Sequence, residues 1–253
     1  MTLALSALPC PDSPLRRIDP RWKLAGLVLL TVVTACLRHL APAAVAFGVT
    51  LFLAALGRLP ARWFVARLGA AAVFLAPFVV ALPLLLRDRE AFASLGPLIV
   101  PYGLGVALLL ALKALAIVTL VLVLLATAPL DATLKAAHAL HVPGLLVQLG
   151  LLTYRYLFVL ASELRRLRVA LRVRGYRNRA TRHSYRTVGH LAGTLLVRSV
   201  ERAERVGQAM RCRGFDGRFR SLASFQTRLR DVAAFLLLAG ATAGLAAWDI
   251  SMS

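Results

Sequence analysis

The sequence predicts an all-α integral membrane protein. About five transmembrane helices are expected, with an arginine-rich cytoplasmic or interfacial helical domain inserted before the last span. Three observations predict this. Hydrophobic residues make up 59% of the 253 positions, above the roughly half that is usual for a soluble chain, and the mean hydropathy is +0.74. The formal net charge is nonetheless +20, from 31 basic and 11 acidic residues. The two properties are also segregated. Residues 153–230 hold 19 arginines against four acids, Glu163, Glu201, Glu204 and Asp216. Apolar residues in lipid and positive charge at one membrane surface reconcile all three.

Taken in order, residues 1–14 read as a mobile tail. Pro9, Pro11 and Pro14 interrupt it, and no charged region precedes a uniform apolar core, so it is no signal peptide. Arg16, Arg17, Arg21 and Lys23 precede or open a first apolar run over 22–37. Arg38 and His39 mark a turn, and the run 40–56 follows with Pro42 in its first turn, where proline is tolerated. A basic loop from Gly57 to Arg67 carries Arg58, Arg62 and Trp63, an aromatic of the kind that anchors at a membrane interface. A third run covers 69–86, with kinks expected at Pro77 and Pro83. Arg87, Asp88, Arg89 and Glu90 are balanced in charge. Residues 91–103, with Gly96, Pro97, Pro101 and Gly103, read as a loop. A fourth run spans 104–126 with one intruder, Lys113, and a fifth spans 231–248. The segments are thus 1–126, the tail and four spans; 127–230, the arginine-rich cytoplasmic domain; and 231–253, the last span with an external C-terminus.

Between the fourth and fifth runs, three helices are expected. Thr127-Ala128-Pro129-Leu130-Asp131 reads as a helix start with a capping residue, an early proline and an acid near the positive end. That helix stops before Pro143-Gly144. A second runs 144–174, apolar in its first half and arginine-rich in its second, with Tyr154-Arg155-Tyr156 at the changeover. After a linker over 176–186, a third runs 187–213. Both long helices close on one template, Leu-Arg-Val-Arg-Gly-Tyr-Arg-Asn-Arg at 171–179 and Met-Arg-Cys-Arg-Gly-Phe-Asp-Gly-Arg at 210–218. The glycine suits the left-handed position just past a helix, and arginine suits its negative end. Two such ends read as plugs for an acidic partner surface, or as two ordinary C-caps.

The arginines orient the chain. With 153–230 cytoplasmic, the N-terminus is cytoplasmic with four basic residues, the turn at Arg38 external with one, the loop 57–68 internal with three, the loop 87–103 external with two, and the C-terminus external with none after Arg230. The rival is a sixth crossing by 144–161, opposed by Gln148 and Arg155.

No phosphate loop or dinucleotide fingerprint is present, so no nucleotide cofactor is expected on this chain. Cys10, Cys36 and Cys212 are isolated. His138 and His141 could share a face of the short helix, but no further ligand lies close in sequence, and no metal site is expected. Lysine at mid-span costs about 2.5–3.5 kcal/mol on insertion scales, so Lys113 reads as helix-packing glue, or as a contact to a partner. Nucleic-acid binding fits poorly with a membrane bundle. Anionic lipid fits well at the cytoplasmic leaflet.

At this point the chain resembles a known family, the transmembrane T component of energy-coupling factor (ECF) transporters, specifically the cobalt-type subunit CbiQ. The resemblance rests on Thr-Ala-Pro-Leu-Asp at 127–131, His-Val-Pro-Gly at 141–144, Leu-Thr-Tyr-Arg-Tyr-Leu at 152–157, and the stretch from Arg198-Ser199-Val200-Glu201-Arg202 to Gly214-Phe215-Asp216-Gly217. The family's signature of a small residue, Arg and Gly falls on Val173-Arg174-Gly175 and Cys212-Arg213-Gly214, with Val and Cys where Ala is frequent. The resemblance implies a non-catalytic coupling subunit of an importer in a bacterial cytoplasmic membrane, taking up cobalt(II) for cobalamin synthesis. It implies two ATP-binding-cassette ATPases gripped by Arg174 and Arg213, a CbiM-like membrane subunit that captures the substrate, and room for a small accessory subunit. Arg172, Arg211, Tyr176 and Phe215 would support the two tips. Two other classes remain open: a membrane enzyme using arginines on an anionic or lipid ligand, and a self-contained carrier, which would need more mid-membrane polar residues than Thr31, Thr34, Lys113 and Thr119.

Overall fold

The structure, a computed structural model, describes residues 13, 15, 18–85, 92–95, 98–177, 179–217, 227 and 229–252. The tail with its prolines, Arg16 and Arg17, the charged stretch Arg87 to Glu90, Gly96, Pro97 and Arg218 lie outside the described residues. Among the described residues, eight helices follow in order: α1 (Pro20–Cys36), α2 (Leu40–Leu56), α3 (Ala61–Leu85), α4 (Tyr102–Thr127), α5 (Leu130–Ala139), α6 (Gly144–Val173), α7 (Arg182–Cys212) and α8 (Leu229–Ser251). They form two compact units. α1–α5 and α8 make one, and α6 and α7, within residues 141–222, make the other.

Several boundaries differ from the expectation. α3 begins at Ala61, not 69, so Arg62, Trp63 and Arg67 lie on its first turns. There the Arg67 guanidinium stacks 4.5 Å from the Trp63 ring centroid. α7 begins at Arg182, not 187, because the Thr181 hydroxyl accepts from the Ser184 N–H and caps it. Thr127 is no cap for α5. It closes α4, with its hydroxyl donating to the Val123 carbonyl at 2.7 Å, and the residue before α5 is Pro129. The expected loop 91–103 contains an antiparallel hairpin of β1 (Phe92–Leu95) and β2 (Leu98–Pro101), with Leu95 opposite Leu98. Turn residues marked the break between these tetrapeptides but not their pairing.

Among the described residues, four helices are long and apolar enough to cross a membrane: Ala61–Pro83, Gly103–Thr127, Gly144–Val173 and Leu229–Ser251. α1 and α2, expected as spans, are 17 residues each. They rise about 26 Å, short of a hydrocarbon layer of about 30 Å. α3 turns Val73, Phe74 and Phe78 outward, each more than half exposed. Such a face is stable only against lipid or another protein. The chain is an all-α, multi-pass membrane protein.

The core of the larger unit is Leu27 and Leu30 of α1, Leu37 just past its end, Ala43, Ala46 and Leu53 of α2, Leu120 of α4 and Leu245 of α8. α1 and α8 approach closely at Gly26, where a Cβ would stand 3.0 Å from Leu238 Cδ1. Trp22 packs on Phe235 beside it. The buried hydroxyls of Thr34 and Thr119, and that of half-buried Thr31, donate to carbonyls one turn back in their own helices. They are satisfied locally and line no polar path, which counts against a self-contained carrier. The Lys113 ammonium donates to the Ala35 carbonyl at 3.2 Å and so ties α4 to α1, the packing role expected for it.

Two polar knots, unforeseen from sequence, set the direction of the helices. At the start of α1 the buried Lys23 ammonium donates to the Thr127 carbonyl at 3.1 Å and to the Leu15 carbonyl at 3.4 Å. The Asp19 N–H donates to buried Asp231 at 3.2 Å. Beyond the end of α1, the Asp249 carboxylate accepts the N–H groups of Arg38 and His39, each at 3.0 Å. A carboxylate there stabilises the positive end of α2. α1 and α8 therefore run parallel, pinned at both ends, and α4 runs against them. α4 ends, and α8 begins, at the end of the bundle where α1 starts.

Candidate functional site

The two Arg-Gly ends are built alike. In α6 the Tyr176 N–H donates to the Leu171 carbonyl and the Gly175 N–H to the Arg172 carbonyl, both at 3.0 Å. In α7 the Phe215 N–H donates to Met210 and the Gly214 N–H to Arg211, again both at 3.0 Å. This paired pattern, with its left-handed residue, is the Schellman cap. Gly175 and Gly214 share φ of +78°, so the sequence template was reporting one backbone geometry used twice. Arg174 and Arg213 occupy the C-cap position of each helix. Tyr176 and Phe215 fold back half-buried, while Val173, Cys212 and the four arginines at 172, 174, 211 and 213 are exposed. Among the described residues neither Arg174 nor Arg213 has an ion-pair partner.

A Cβ on either glycine would meet no atom within 4 Å. The requirement for glycine is therefore conformational. Gly175→Ala and Gly214→Ala should each cost about 1–2 kcal/mol, confined to the cap. Faster amide hydrogen exchange over 171–176 or 210–215, with an unchanged global melting temperature, is the expected result.

The two tips are not brought together. The short connection 176–181 joins α6 to α7, and the Tyr176 hydroxyl reaches the Ser184 carbonyl at 3.5 Å, so Arg174 sits beside the start of α7. Arg213 sits at the other end of this 31-residue helix, about 45 Å away along its axis. No single small anion could engage both.

α6 and α7 are cross-linked near their middles. Glu163 of α6 accepts from Arg198 at 2.9 Å and from Arg202 at 3.1 Å. Beside this ion triad lies an apolar groove of about 410 Å³ between the same helices. Sequence reading saw the cationic run but not that one acid would gather two of its arginines, because the partners are 35 and 39 positions apart.

The two histidines do not share a helix face. α5 ends at Ala139, and His141 lies beyond it with φ of +71°. Among the described residues, no group of three or more His, Cys, Asp or Glu side chains is placed to hold a metal ion.

The profile of the family described as cobalt transport protein, CbiQ, matches residues 11–224. The uncharacterised protein MJ1571 of Methanocaldococcus jannaschii is 23% identical over 244 residues, covering 93% of this chain and 82% of that protein. Cobalt transport protein CbiQ of Rhodobacter capsulatus is 31% identical over 125 residues, 49% of this chain and 50% of that one. Nickel permease LarQ of Lactiplantibacillus plantarum is 33% identical over 105 residues, 42% of this chain and 38% of that one. The alignments with these last two thus span half of each relative or less.

Proposed function

The chain belongs to the CbiQ family of cobalt transport proteins, and on that footing we propose that it is the coupling subunit of an ECF-type importer. It transmits closure of two ATP-binding-cassette ATPases to a membrane subunit that captures the substrate. The observation that carries this reading is the pair of identically capped, exposed arginines about 45 Å apart on the α6–α7 pair. That spacing suits two separate acidic grooves, one on each ATPase, and a guanidinium forks well onto a carboxylate. ATP is bound and hydrolysed on the partner chains.

Topology supports the same reading. α4 ends and α8 begins at one end of the bundle, so the intervening chain makes an even number of crossings. α7 is too polar to count among the candidate spans. The simplest solution is that 128–230 stays on one side, in spite of the length and apolar first half of α6. With 19 arginines in 153–230, that side is the cytoplasm. The N-terminus then lies there too, and the C-terminus outside. The cargo is a divalent transition-metal ion, cobalt(II) by the family's name, with nickel the alternative offered by the permease relative.

The test is purification of the tagged chain in mild detergent from its native host. An ATP-binding-cassette ATPase and a second small membrane protein should co-elute in fixed ratio, and the assembly should hydrolyse ATP. A chain that elutes alone after gentle extraction, from cells in which metal uptake is active, contradicts the reading.

A further inference from the structure

We propose that the groove between α6 and α7 is a binding site for one anionic phospholipid. Its walls are apolar, with Leu149, Leu152, Leu157 and Leu160 from α6 and Val206 and Met210 from α7. Its volume of about 410 Å³ is in the range of small-molecule sites. Thr153, Tyr156 and Ser199 add hydroxyls, and one charged group intrudes. Arg202 lines the groove, and its buried Nε–H has no hydrogen-bond partner among the described residues. An unmatched buried donor on an apolar wall is costly unless a ligand satisfies it.

Charge selects the occupant. Arg198 and Arg202 share the single carboxylate of Glu163, so the triad keeps a net positive charge. The groove also lies where α6 changes character. Its apolar first half ends around Tyr154-Arg155-Tyr156, and the arginines at 165, 166 and 168 begin just past the groove. Lying along the cytoplasmic surface, a helix with that change of character keeps the changeover at headgroup depth. An acyl chain would fill the leucine-lined part, and the lipid phosphate would take the Arg202 Nε–H. The site is distinct from what grips the helix tips: of the groove residues only Met210 also belongs to an Arg-Gly cap, and it does so through its main-chain carbonyl.

The test is native mass spectrometry of the full-length chain after exposure to an equimolar mixture of phosphatidylglycerol and phosphatidylcholine in detergent. The wild type should retain one phosphatidylglycerol, at least fivefold over phosphatidylcholine. Arg202→Gln should lose that preference, with Arg198 still holding Glu163. Ala203→Trp, which fills the groove, should lose the bound lipid of either kind, and Arg186→Gln, away from the groove, should behave as wild type. Equal retention of the two lipids by the wild type overturns the proposal. So does undiminished phosphatidylglycerol on Ala203→Trp. Loss of a co-purifying membrane protein from that variant, with lipid retention unchanged, would give the groove to a protein partner instead.

Discussion

Arg174→Ala combined with Arg213→Ala is expected to abolish both ATPase association and metal uptake, while the protein accumulates in the membrane at its normal level. Under the proposed function, each guanidinium enters a groove and pairs with a carboxylate out of water. Removing one side of such a pair costs about 3–5 kcal/mol, because the partner charge is left buried and alone. At about 1.4 kcal/mol per tenfold, that is roughly a hundredfold to a few thousandfold in affinity for each tip. The folding cost should be small. Both side chains are exposed, neither has an ion-pair partner among the described residues, and the caps are made by the main chain. Single substitutions should leave a complex held by one end, with hydrolysis uncoupled from uptake. Arg→Lys at both tips keeps the charge but loses the planar fork, and should fall between wild type and the double alanine variant. Normal uptake by the double alanine variant, measured with a radioactive metal tracer, would sink the assignment.

The second large effect is on stability. Asp249→Ala removes the acceptor for the N–H groups of Arg38 and His39 at the start of α2. Each donor left without a partner costs about 1–3 kcal/mol, so the expected loss is about 2–4 kcal/mol. For a chain of this size that lowers Tm by roughly 5–12 °C. Asp249→Asn keeps an acceptor oxygen but loses the charge, and should recover about half of the difference. The readout is thermal unfolding in detergent. An unchanged Tm for the alanine variant would mean that α8 is not anchored to the α1–α2 turn in solution.

Much of this architecture was legible in the sequence because its signals are local. Apolar runs located α2 and α4, and the Pro143-Gly144 break located the start of α6, to within a few residues, and the Arg-Gly template predicted both glycine caps. The cost of Lys113 in lipid implies packing glue or a partner contact, and its bond to the Ala35 carbonyl fits the first. What sequence reading missed depends on distant partners. Nothing near Lys23 announces that its ammonium will reach the carbonyl of Thr127, 104 positions away. Asp249, near the C-terminus, gives no sign that it caps a helix starting at Leu40. Thr127 misled because a threonine before proline fits a cap as well as it fits the back-bonded last turn it makes. The start of α3 was placed late because arginines and a tryptophan resemble a loop, whereas at a helix end they stack on one another. The groove escaped notice because it exists only once α6 and α7 lie side by side.

The knot at the start of α1 also bears on how the protein is made. Asp19 and Asp231 are 212 positions apart. At about 5–20 residues per second, α1 waits some 10–40 s on the ribosome before the strand of chain carrying its carboxylate partner is even synthesised. Until then the nascent bundle is an unlatched assembly, and only the final helix completes it. A message truncated before codon 231 would yield a protein with both Arg-Gly tips in place and no means of closing its own membrane domain, a natural target for proteolytic quality control.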